Sequence, residues 1–326
     1  MREIVIRKNE AGQRLDKFLH KYLKEAGNGF LYKMLRKKNI TLNHKKADGS
    51  EKLIEGDVVA LFMSDETIDK FRSAGDFHIS SYQSAYQSLK GITVAGEDED
   101  ILILSKPQGI PSQKSGKDDI SVNEWVIGYL LAKGALNEED LKTFKPSVCN
   151  RLDTNTGGLI LAGKSLGGLQ VLSRALKDRN MNKYYLAVCE GRTEEEFALS
   201  GTLVKDEKNN KVRINASGGD GDPVRTEFRT LSYEDGYSLV EAHLITGRSH
   251  QIRAHLSSSG HPIAGDLKYG GKPVVREDLC MNHQLLYAYR VVFPDDESFG
   301  IYQNKEMCIP TPDPIRKMFK EYYADI

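Results

Sequence analysis

The sequence predicts an α+β protein with two domains joined by a linker. Apolar side chains near the N-terminus recur with helical spacing and are followed by short strand-like runs. Farther along, most apolar runs have the length of strands, with a few helical segments between them. A chain of 326 residues also exceeds the ~100–200 residues that are usual for one domain. We therefore predict a small first domain at residues 1–63, a linker at 64–92 and a larger second domain at 93–326.

The composition is ordinary for a globular protein and excludes several classes. Hydrophobic residues make up 39% and charged residues 28%, and the net charge of zero excludes a chain that is basic throughout. The four cysteines are scattered without C-x-x-C spacing, which is typical of reduced thiols in a cytosolic protein. The N-terminus is too polar for a signal peptide, and no apolar run approaches the ~20 residues needed to cross a bilayer. We expect a cytoplasmic monomer without membrane contact.

The first domain is predicted from its apolar spacing and its charge. One helix is expected over residues 14–26, and a second, short helix ends in the basic cluster 36–38. Strands follow at 40–43 and 58–63. Residues 1–62 carry 14 Lys and Arg against 8 Asp and Glu, whereas the remaining residues carry 32 against 38. A basic module on an acidic body indicates a polyanion-binding surface; a basic face that merely keeps the protein soluble is the alternative.

Residues 64–92 are rich in Ser, Gln and Tyr and show no sustained period, which is typical of a linker. Aromatic side chains among polar residues could stack on nucleic-acid bases. Tethering contacts are the commoner alternative for such residues, so the sequence gives the stacking hypothesis little support.

The second domain is predicted to begin with a strand at 101–104, which Pro107 and Gly109 end in a turn. Further elements are expected along the chain: a helix around 125–130, a helix at about 168–177, a strand at 183–188, a Gly/Asp-rich turn at 218–222 and a strand at 284–293. Between the first two helices, residues 149–165 form a segment without helical periodicity.

That segment places charged side chains at the mouth of a buried strand. Arg151 and Asp153 precede small and hydroxyl residues that suit a loop, and an apolar run follows at 159–162. A lone carboxylate held on a loop at the end of a buried strand is where a fold can place a reactive group. An Asp that caps a turn is the alternative.

Four ordered motifs give the chain a resemblance to a known family. They are Lys106-Pro107-Gln108-Gly109; Arg151-Leu152-Asp153 with Thr156, Gly158 and Leu159; Lys183-Tyr184-Tyr185; and Thr246-Gly247-Arg248-Ser249-His250-Gln251-Ile252-Arg253. In this order they resemble the RluA/RluD-type RNA pseudouridine synthases. The chain departs from the family pattern at Asn150, where His is usual, and at Gly157, where Ser is usual.

The first domain resembles the S4-type RNA-binding domain. The matching residues are Gly12, Arg14, Leu15, Asp16, Leu35, Ile40, Asn43, Gly56 and Asp57. This resemblance implies phosphate contacts from the helix faces and the following turn, through Arg14, Lys17, Arg36, Lys37 and Lys38. For any one of these residues, a solvated basic side chain is the alternative.

The family resemblance also implies the fold and the site of the second domain. The fold would be a mixed, mainly antiparallel sheet flanked by helices and loops. Asp153 would be the essential carboxylate and Arg253 its charged partner, with Arg248 as the competitor. Tyr185 would stack on the target base, and its hydroxyl could assist removal of the proton from C5, whereas Tyr184 would point to the opposite face of its strand. The implied catalytic residues are therefore Asp153, Tyr185 and Arg253. The implied substrate-binding residues are Lys106, Arg151, Arg248, His250 and Gln251.

The activity that this resemblance implies is isomerisation of uridine to pseudouridine in structured RNA. The glycosidic bond breaks, and the base turns and rejoins through C5, with no net redox change or group transfer, so neither a cofactor nor a metal is expected. Positive charge develops at C1′, where an ionised Asp153 can stabilise or trap it. Whether Asp153 attacks C1′ or removes a sugar proton stays open. Ribosomal RNA, in particular 23S, is the expected partner, and transfer RNA is the alternative.

Two other functions fit part of the sequence. Residues 158–165 match the G-x-x-x-x-G-K-S pattern of phosphate-binding loops, but apolar residues lie where that loop needs flexible ones. A non-catalytic RNA-binding protein on the same scaffold is the other rival, and only the two departures from the family pattern favour it. His250, His255 and His261 lack the spacing of a metal site.

Overall fold

The structure, a computed structural model, describes residues 1–72, 79–116, 119–206, 211–215 and 218–324. Across these residues the strands form one four-stranded, one eleven-stranded and one two-stranded sheet, with helices packed on them. The predicted α+β class is therefore confirmed. No helix in these ranges has the length and apolar content that crossing a membrane requires.

The first domain combines an antiparallel sheet with two helices. Its elements are β1 (Arg2–Val5), α1 (Leu15–Tyr22), α2 (Asn28–Arg36), β2 (Ile40–Leu42), β3 (Lys45–Lys46) and β4 (Val58–Leu61). The strand order is β1-β4-β2-β3. Both helices bury apolar side chains against the sheet, including Phe18 from α1 and Leu31 from α2. This domain therefore has a hydrophobic core of its own.

Two details of this domain differ from the prediction. α1 ends at Tyr22 because the backbone leaves the helical conformation at Leu23, yet Leu23 and Ala26 remain buried. The apolar spacing consequently continues beyond the helix. The sequence pattern does not predict β1, because its residues are only half-buried or exposed and two of the four are charged.

The segment predicted as an irregular linker contains two helices, α3 (Asp65–Phe71) and α4 (Ile79–Ser88). α4 packs closely on α5 (Val122–Ala132). A Cβ on Gly128 of α5 would lie 2.1 Å from the carbonyl oxygen of Tyr82, so only glycine permits this approach of the two backbones. Because the packing partner lies in another helix, the period of the segment itself does not reveal α4.

Thirteen strands of the described chain belong to the second domain. They are β5 (Thr93–Glu97), β6 (Ile101–Lys106), β7 (Ser147–Val148), β8 (Gly157–Gly163), β9 (Asn182–Glu190), β10 (Glu196–Asp206), β11 (Lys211–Asn215), β12 (Asp222–Glu234), β13 (Tyr237–Leu244), β14 (Val274–Arg276), β15 (Leu279–Met281), β16 (Leu286–Val292) and β17 (Glu306–Cys308). The main sheet runs β11-β10-β12-β13-β9-β16-β8-β6-β5. β7 pairs with β8, and β17 with β16. Among the described pairs, β16 with β8 is parallel and the others are antiparallel, so the sheet is mixed and mainly antiparallel.

Helices cover this sheet and position the site. Besides α5 they are α6 (Glu138–Thr143), α7 (Leu166–Lys177), α8 (Gln251–Ser258), α9 (Asp313–Met318) and α10 (Lys320–Ala324), with short 3-10 helices at Leu267–Tyr269 and Glu297–Tyr302. The helices predicted around 125–130 and 168–177 correspond to α5 and α7, and the predicted strands lie in β6, β8, β9 and β16.

The residues that match a phosphate-binding loop form a strand instead. Gly158 to Gly163 lie within β8, which is buried along its length. Lys164 Nζ pairs with Glu97 Oε1 at 2.7 Å, and Ser165 caps α7 by accepting a hydrogen bond from the backbone of Gly168 at 3.0 Å. A phosphate-binding loop needs free backbone N–H groups that curve around the anion. This geometry therefore argues against the nucleotide hydrolase.

The first domain and the linker contact α6 of the second domain through one buried hydrogen bond and through ion pairs of Arg7 and of the linker residue Arg72. Thr143 Oγ1 donates to Glu10 Oε1 at 2.5 Å, and Glu10 is only 5% exposed. Arg7 pairs with Asp140 at 3.2 Å, and Arg72 pairs with Glu139 at 3.1 Å. Exposed ion pairs contribute little stability, so the buried hydrogen bond is the contact on which this interface most depends.

We predict that Thr143→Val lowers the free energy of unfolding by about 1–3 kcal/mol, because it keeps the shape of the side chain but leaves Oε1 of the buried Glu10 without its donor. Urea unfolding measures the loss, and hydrogen exchange should quicken at residues 7–13 and 137–143. The exposed Thr93→Val serves as the matched control. Equal stability of the two variants would contradict the prediction.

Candidate active site

The loop between β7 and β8 carries Asp153 to the edge of a cavity. Before Asp153, the N–H of Leu152 donates to Ser112 Oγ at 2.9 Å, and that hydroxyl donates to the Leu152 carbonyl at 2.7 Å. After Asp153, the N–H of Thr156 donates to the Asp153 carbonyl at 3.0 Å and closes a turn. The Asp153 side chain is 28% exposed. The backbone is thus held on both sides while the carboxylate reaches the cavity.

Lys106 supports this loop from the inside. It is 1% exposed, and its Nζ donates to the carbonyls of Pro107, Ile110 and Thr154 at 3.0, 2.7 and 3.0 Å. Burial lowers the pKa of Lys106 to about 7, and the negative charge of Asp153 opposes that shift. Because the ammonium group donates to backbone carbonyls, Lys106 occupies a supporting position and not the substrate-binding position that the resemblance implies.

Arg253, on α8, links two carboxylates. Its Nη1 donates to Asp153 Oδ2 at 2.8 Å, while its Nε and Nη2 donate to Asp266 Oδ2 and Oδ1, both at 2.7 Å. Burial opposes the charge, but hydrogen bonds to Asp266, its charge and then that of Asp153 raise the pKa of Arg253. The guanidinium therefore stays charged and fixes the direction of the Asp153 carboxylate. The ion pair that the resemblance implied is present.

Tyr269 and His250 form the wall beside Arg253. The guanidinium lies 4.8 Å from the centroid of the Tyr269 ring, and the Tyr269 hydroxyl lies 2.9 Å from His250 Nδ1. His250 Nε2 is 3.6 Å from Asp153 Oδ2. Burial lowers the pKa of His250 against the attraction of Asp153, so the imidazole is neutral at pH 7. His250 adopts a left-handed backbone with φ of 55°, a conformation that the surrounding contacts must stabilise.

Tyr185 and Tyr184 occupy opposite faces of β9, as the alternation of a strand requires. Tyr185 is 7% exposed, and burial, reinforced by the charge of Asp153, raises its pKa strongly. Its hydroxyl is therefore held in the protonated form in this structure. Tyr184 lies on the other face, with the Arg290 guanidinium 3.6 Å from its ring centroid and His243 stacked at 4.5 Å.

The cavity beside Asp153 has a volume of about 330 Å³ and polar walls. Arg253 and His250 line one side, and His283 and Gln284 contribute to the wall as well. A larger cavity of about 440 Å³ lies along β10, β12 and β13, away from Asp153. We place the site in the smaller cavity because the charged carboxylate opens into it.

The other residues predicted to bind substrate lie in different environments. Arg248 pairs with Asp222 at 2.9 Å near the surface, so of the two candidate arginines it is Arg253 that pairs with Asp153. Gln251 is 2% exposed, and its amide bonds to neighbouring groups, including Thr246 Oγ1 at 2.9 Å. Gln251 therefore holds the turn before α8, which does not favour direct contact with substrate. Arg151 is exposed on the loop that carries Asp153.

The structure explains both departures from the family pattern. Asn150 Oδ1 accepts from the N–H of Leu161 at 2.7 Å, and its Nδ2 donates to the carbonyl of Leu159 at 3.2 Å, so this side chain pairs with the edge of β8. At Gly157, a Cβ would lie 2.6 Å from the ring of Tyr287. Neither departure alters the pairing of Asp153, so neither favours a scaffold that has lost its carboxylate site.

Sequence reasoning assigns no role to two residues of the site, Asp266 and Tyr269. Their positions in the sequence could have indicated such a role, because Gly265-Asp266 and Tyr269-Gly270 follow the motif that ends at Arg253. An apolar period cannot show that this segment folds back onto Arg253. Over the residues that the structure covers, no group of three or more His, Cys, Asp and Glu is arranged to hold a metal ion.

A carboxylate aimed by a buried guanidinium into an open polar cavity, on a mixed sheet, has the geometry of a candidate active site. Comparison with known proteins identifies the family of the chain. Residues 100–258 match the family model described as RNA pseudouridylate synthase. The ribosomal large subunit pseudouridine synthase C of Vibrio cholerae is 32% identical over 275 residues, which is 82% of this chain and 80% of the relative. Its namesake in Haemophilus influenzae is 30% identical over 301 residues, 89% and 86% of the two chains. The chain belongs to the RNA pseudouridylate synthase family and is an RNA pseudouridine synthase.

Solved structures show the same fold. Human RNA pseudouridylate synthase domain containing 4 superposes with a TM-score of 0.57 at 18% identity, covering 76% of this chain and 98% of that one. Human RNA pseudouridylate synthase domain containing 1 gives a TM-score of 0.53 at 23% identity, covering 69% and 85%. The fold predicted for the second domain is therefore confirmed.

We predict that Arg253→Lys lowers kcat/KM for pseudouridine formation by about 10²-fold, because an ammonium cannot hold two carboxylates in the geometry of the guanidinium fork. Rates on a transcribed RNA substrate test this. Arg174→Lys, which changes an exposed ion pair with Asp296, is the control and should stay within a few-fold of the wild type. Similar losses in both variants would contradict a special role for Arg253.

Proposed function

We propose that this pseudouridine synthase isomerises specific uridines in large-subunit ribosomal RNA, with Asp153 as the essential carboxylate. The observation that carries the proposal is the Asp153–Arg253 pair at the edge of the cavity. The relatives named for the ribosomal large subunit support the substrate class. Transfer RNA is the alternative substrate, and we propose that the protein acts as a monomer.

Asp153 has the placement that cleavage of a glycosidic bond requires. As the C1′–N1 bond breaks, positive charge grows at C1′, and a fixed carboxylate stabilises it or forms a bond to it. The base then turns and bonds through C5, which loses a proton while N1 gains one. The hydrogen bond from Arg253 fixes the direction of the Asp153 carboxylate in a partly buried position. We assign Tyr185, which is buried and close enough to Asp153 for that charge to act on it, to packing on the base.

We expect the cavity, with a volume of about 330 Å³, to take a single extruded nucleotide and not a paired one. Taking a base out of its stack costs a few kcal/mol, and least in a loop or bulge. The expected substrate is therefore a uridine in an irregular part of a structured RNA. Anchoring contacts away from the cavity supply the binding energy that this extrusion consumes.

We propose that the first domain, as an S4-type module, is that anchor. Arg36, Lys37 and Lys38 are exposed at the end of α2, and Lys17 is exposed on α1. Arg14 is exposed too, but it pairs with Asp16 at 2.8 Å. Clustered exposed cations near a helix end suit phosphate groups of a nucleic-acid backbone.

We predict that Asp153→Asn abolishes the pseudouridine made by this enzyme, because the amide cannot carry the negative charge that the reaction needs. Pseudouridine mapping of cellular RNA in a deletion strain, complemented with each variant, identifies the site. Asp235→Asn, an exposed carboxylate in the turn between β12 and β13, should restore the modification fully. A map that is the same with and without the gene, while the protein binds RNA, would favour the non-catalytic rival.

We predict that replacing Arg36, Lys37 and Lys38 with Gln weakens RNA binding and reduces the slope of log Kd against log salt by about 0.7 for each phosphate that the protein no longer neutralises. Turnover at saturating RNA should persist. Replacing Arg174, Lys177 and Arg179, a comparable exposed basic cluster at the end of α7, provides the control. Equal affinities and slopes for the two triple variants would refute the anchoring role of the first cluster.

A further inference from the structure

Gln108, in the turn after β6, bridges two parts of the site with one side-chain amide. Its Nε2 donates to the carbonyl of Asn155 at 3.0 Å and to the carbonyl of Gln284 at 2.8 Å. Its Oε1 accepts from the Tyr287 hydroxyl at 2.8 Å and lies 3.2 Å from His283 Nε2. Both N–H groups of the amide are therefore occupied, and its oxygen accepts the hydrogen bond of Tyr287.

This arrangement permits a single orientation of the amide. If the Gln108 amide turned over, its oxygen would face the two carbonyl oxygens of Asn155 and Gln284, and its nitrogen would face the hydroxyl of Tyr287. The two carbonyls can only accept hydrogen bonds, so the turned amide could bond to neither of them. The network is directional: the two carbonyls fix the orientation of the amide, and the Tyr287 hydroxyl holds its oxygen in place.

The carbonyl of Asn155 belongs to the loop that aims Asp153. The residues beside it are held from other directions, since the Thr154 carbonyl accepts from Lys106 and Thr156 Oγ1 accepts from Gln284 Nε2 at 3.2 Å. Gln108 holds Asn155, the residue between these two threonines. Because His283 and Gln284 line the cavity, the same amide connects the cavity wall to the catalytic loop.

Tyr287 occupies space that only glycine leaves free. A Cβ on Gly157 would lie 2.6 Å from the Tyr287 ring. The ring is 7% exposed, and burial raises the pKa of Tyr287, which keeps its hydroxyl a donor. Gly157, where the family usually has Ser, therefore lies against Tyr287, the residue that bonds to Gln108.

We propose that Gln108 and Tyr287 form a positioning network, in which Tyr287 orients the Gln108 amide and the amide sets the direction of Asp153 through the Asn155 carbonyl. Both are positioning residues, because they act on the loop and not on the reacting atoms. This inference rests on the proposed role of Asp153 in the isomerisation.

Gln108→Glu tests the network through its pH dependence. At pH 8 the ionised carboxylate would face two carbonyl oxygens, and a displaced loop is expected to lower kcat by about 10²-fold with KM changed less than about twofold. As the pH falls toward 5.5, the glutamic acid regains one O–H donor, so its kcat relative to the wild type at the same pH should recover at least threefold. Gln83→Glu, exposed on α4, should show neither effect.

Tyr287→Phe provides a second variant that keeps the ring and removes only the donor. We expect kcat to fall by about threefold to tenfold, with no recovery at low pH, since no titrating group is added. A change in KM alone for either variant, or an unchanged kcat in Gln108→Glu at pH 8, would overturn the positioning role.

Hydrogen exchange separates this proposal from the proposed function. The Thr156 N–H, which bonds to the Asp153 carbonyl, should exchange faster in Gln108→Glu than in the wild type at pH 8, whatever the RNA substrate. Faster exchange without any pseudouridine formation by the wild-type protein would leave the network intact and overturn the function. Unchanged exchange would overturn the network itself.

Discussion

The site depends on a guanidinium that is buried between two carboxylates. An unpaired charge in that position would be costly, and the bidentate contact with Asp266 offsets much of this cost. Because two of the guanidinium nitrogens are fixed by Asp266, the third reaches Asp153 from one direction only. The side chains differ in exposure, 7% for Arg253 against 28% for Asp153. The reactive group is therefore oriented from the protein side while its open face remains on the cavity.

The loop that carries Asp153 is held mainly by side chains rather than by a strand ladder. Lys106, Ser112 and Gln108 each bond to its backbone, at the carbonyls of Thr154, Leu152 and Asn155 respectively. This construction lets the backbone turn sharply at the mouth of β8, where a regular strand could not present a carboxylate. It also means that buried polar residues, which contribute modestly to stability, determine the geometry on which the chemistry depends.

The sequence predicts what is local and leaves out what depends on distant partners. The amphipathic spacing of α1 and the strand-length run of β8 each determine their own structure, and both were predictable. The pairing of Asp153 with Arg253 joins residues 100 positions apart, so only the resemblance suggested it. Gln251 shows what a resemblance to a family cannot predict. Its place in a motif gives no sign that its amide makes its hydrogen bonds inside the protein. The domain boundaries and the S4-type character of the first domain stay predictions.

The basic residues of the first domain lie on two different surfaces: one contacts the second domain and the other is exposed. Arg7 and Lys8 face acidic residues of the second domain, Asp140 and Glu99, whereas the cluster at the end of α2 remains exposed. Total charge alone therefore overstates the number of cations that can meet RNA. Salt weakens both sets of exposed contacts, but the buried hydrogen bond at Thr143 is screened far less. If the first domain is the RNA anchor proposed above, it can release its ligand as the ionic strength rises and still keep its place beside the second domain.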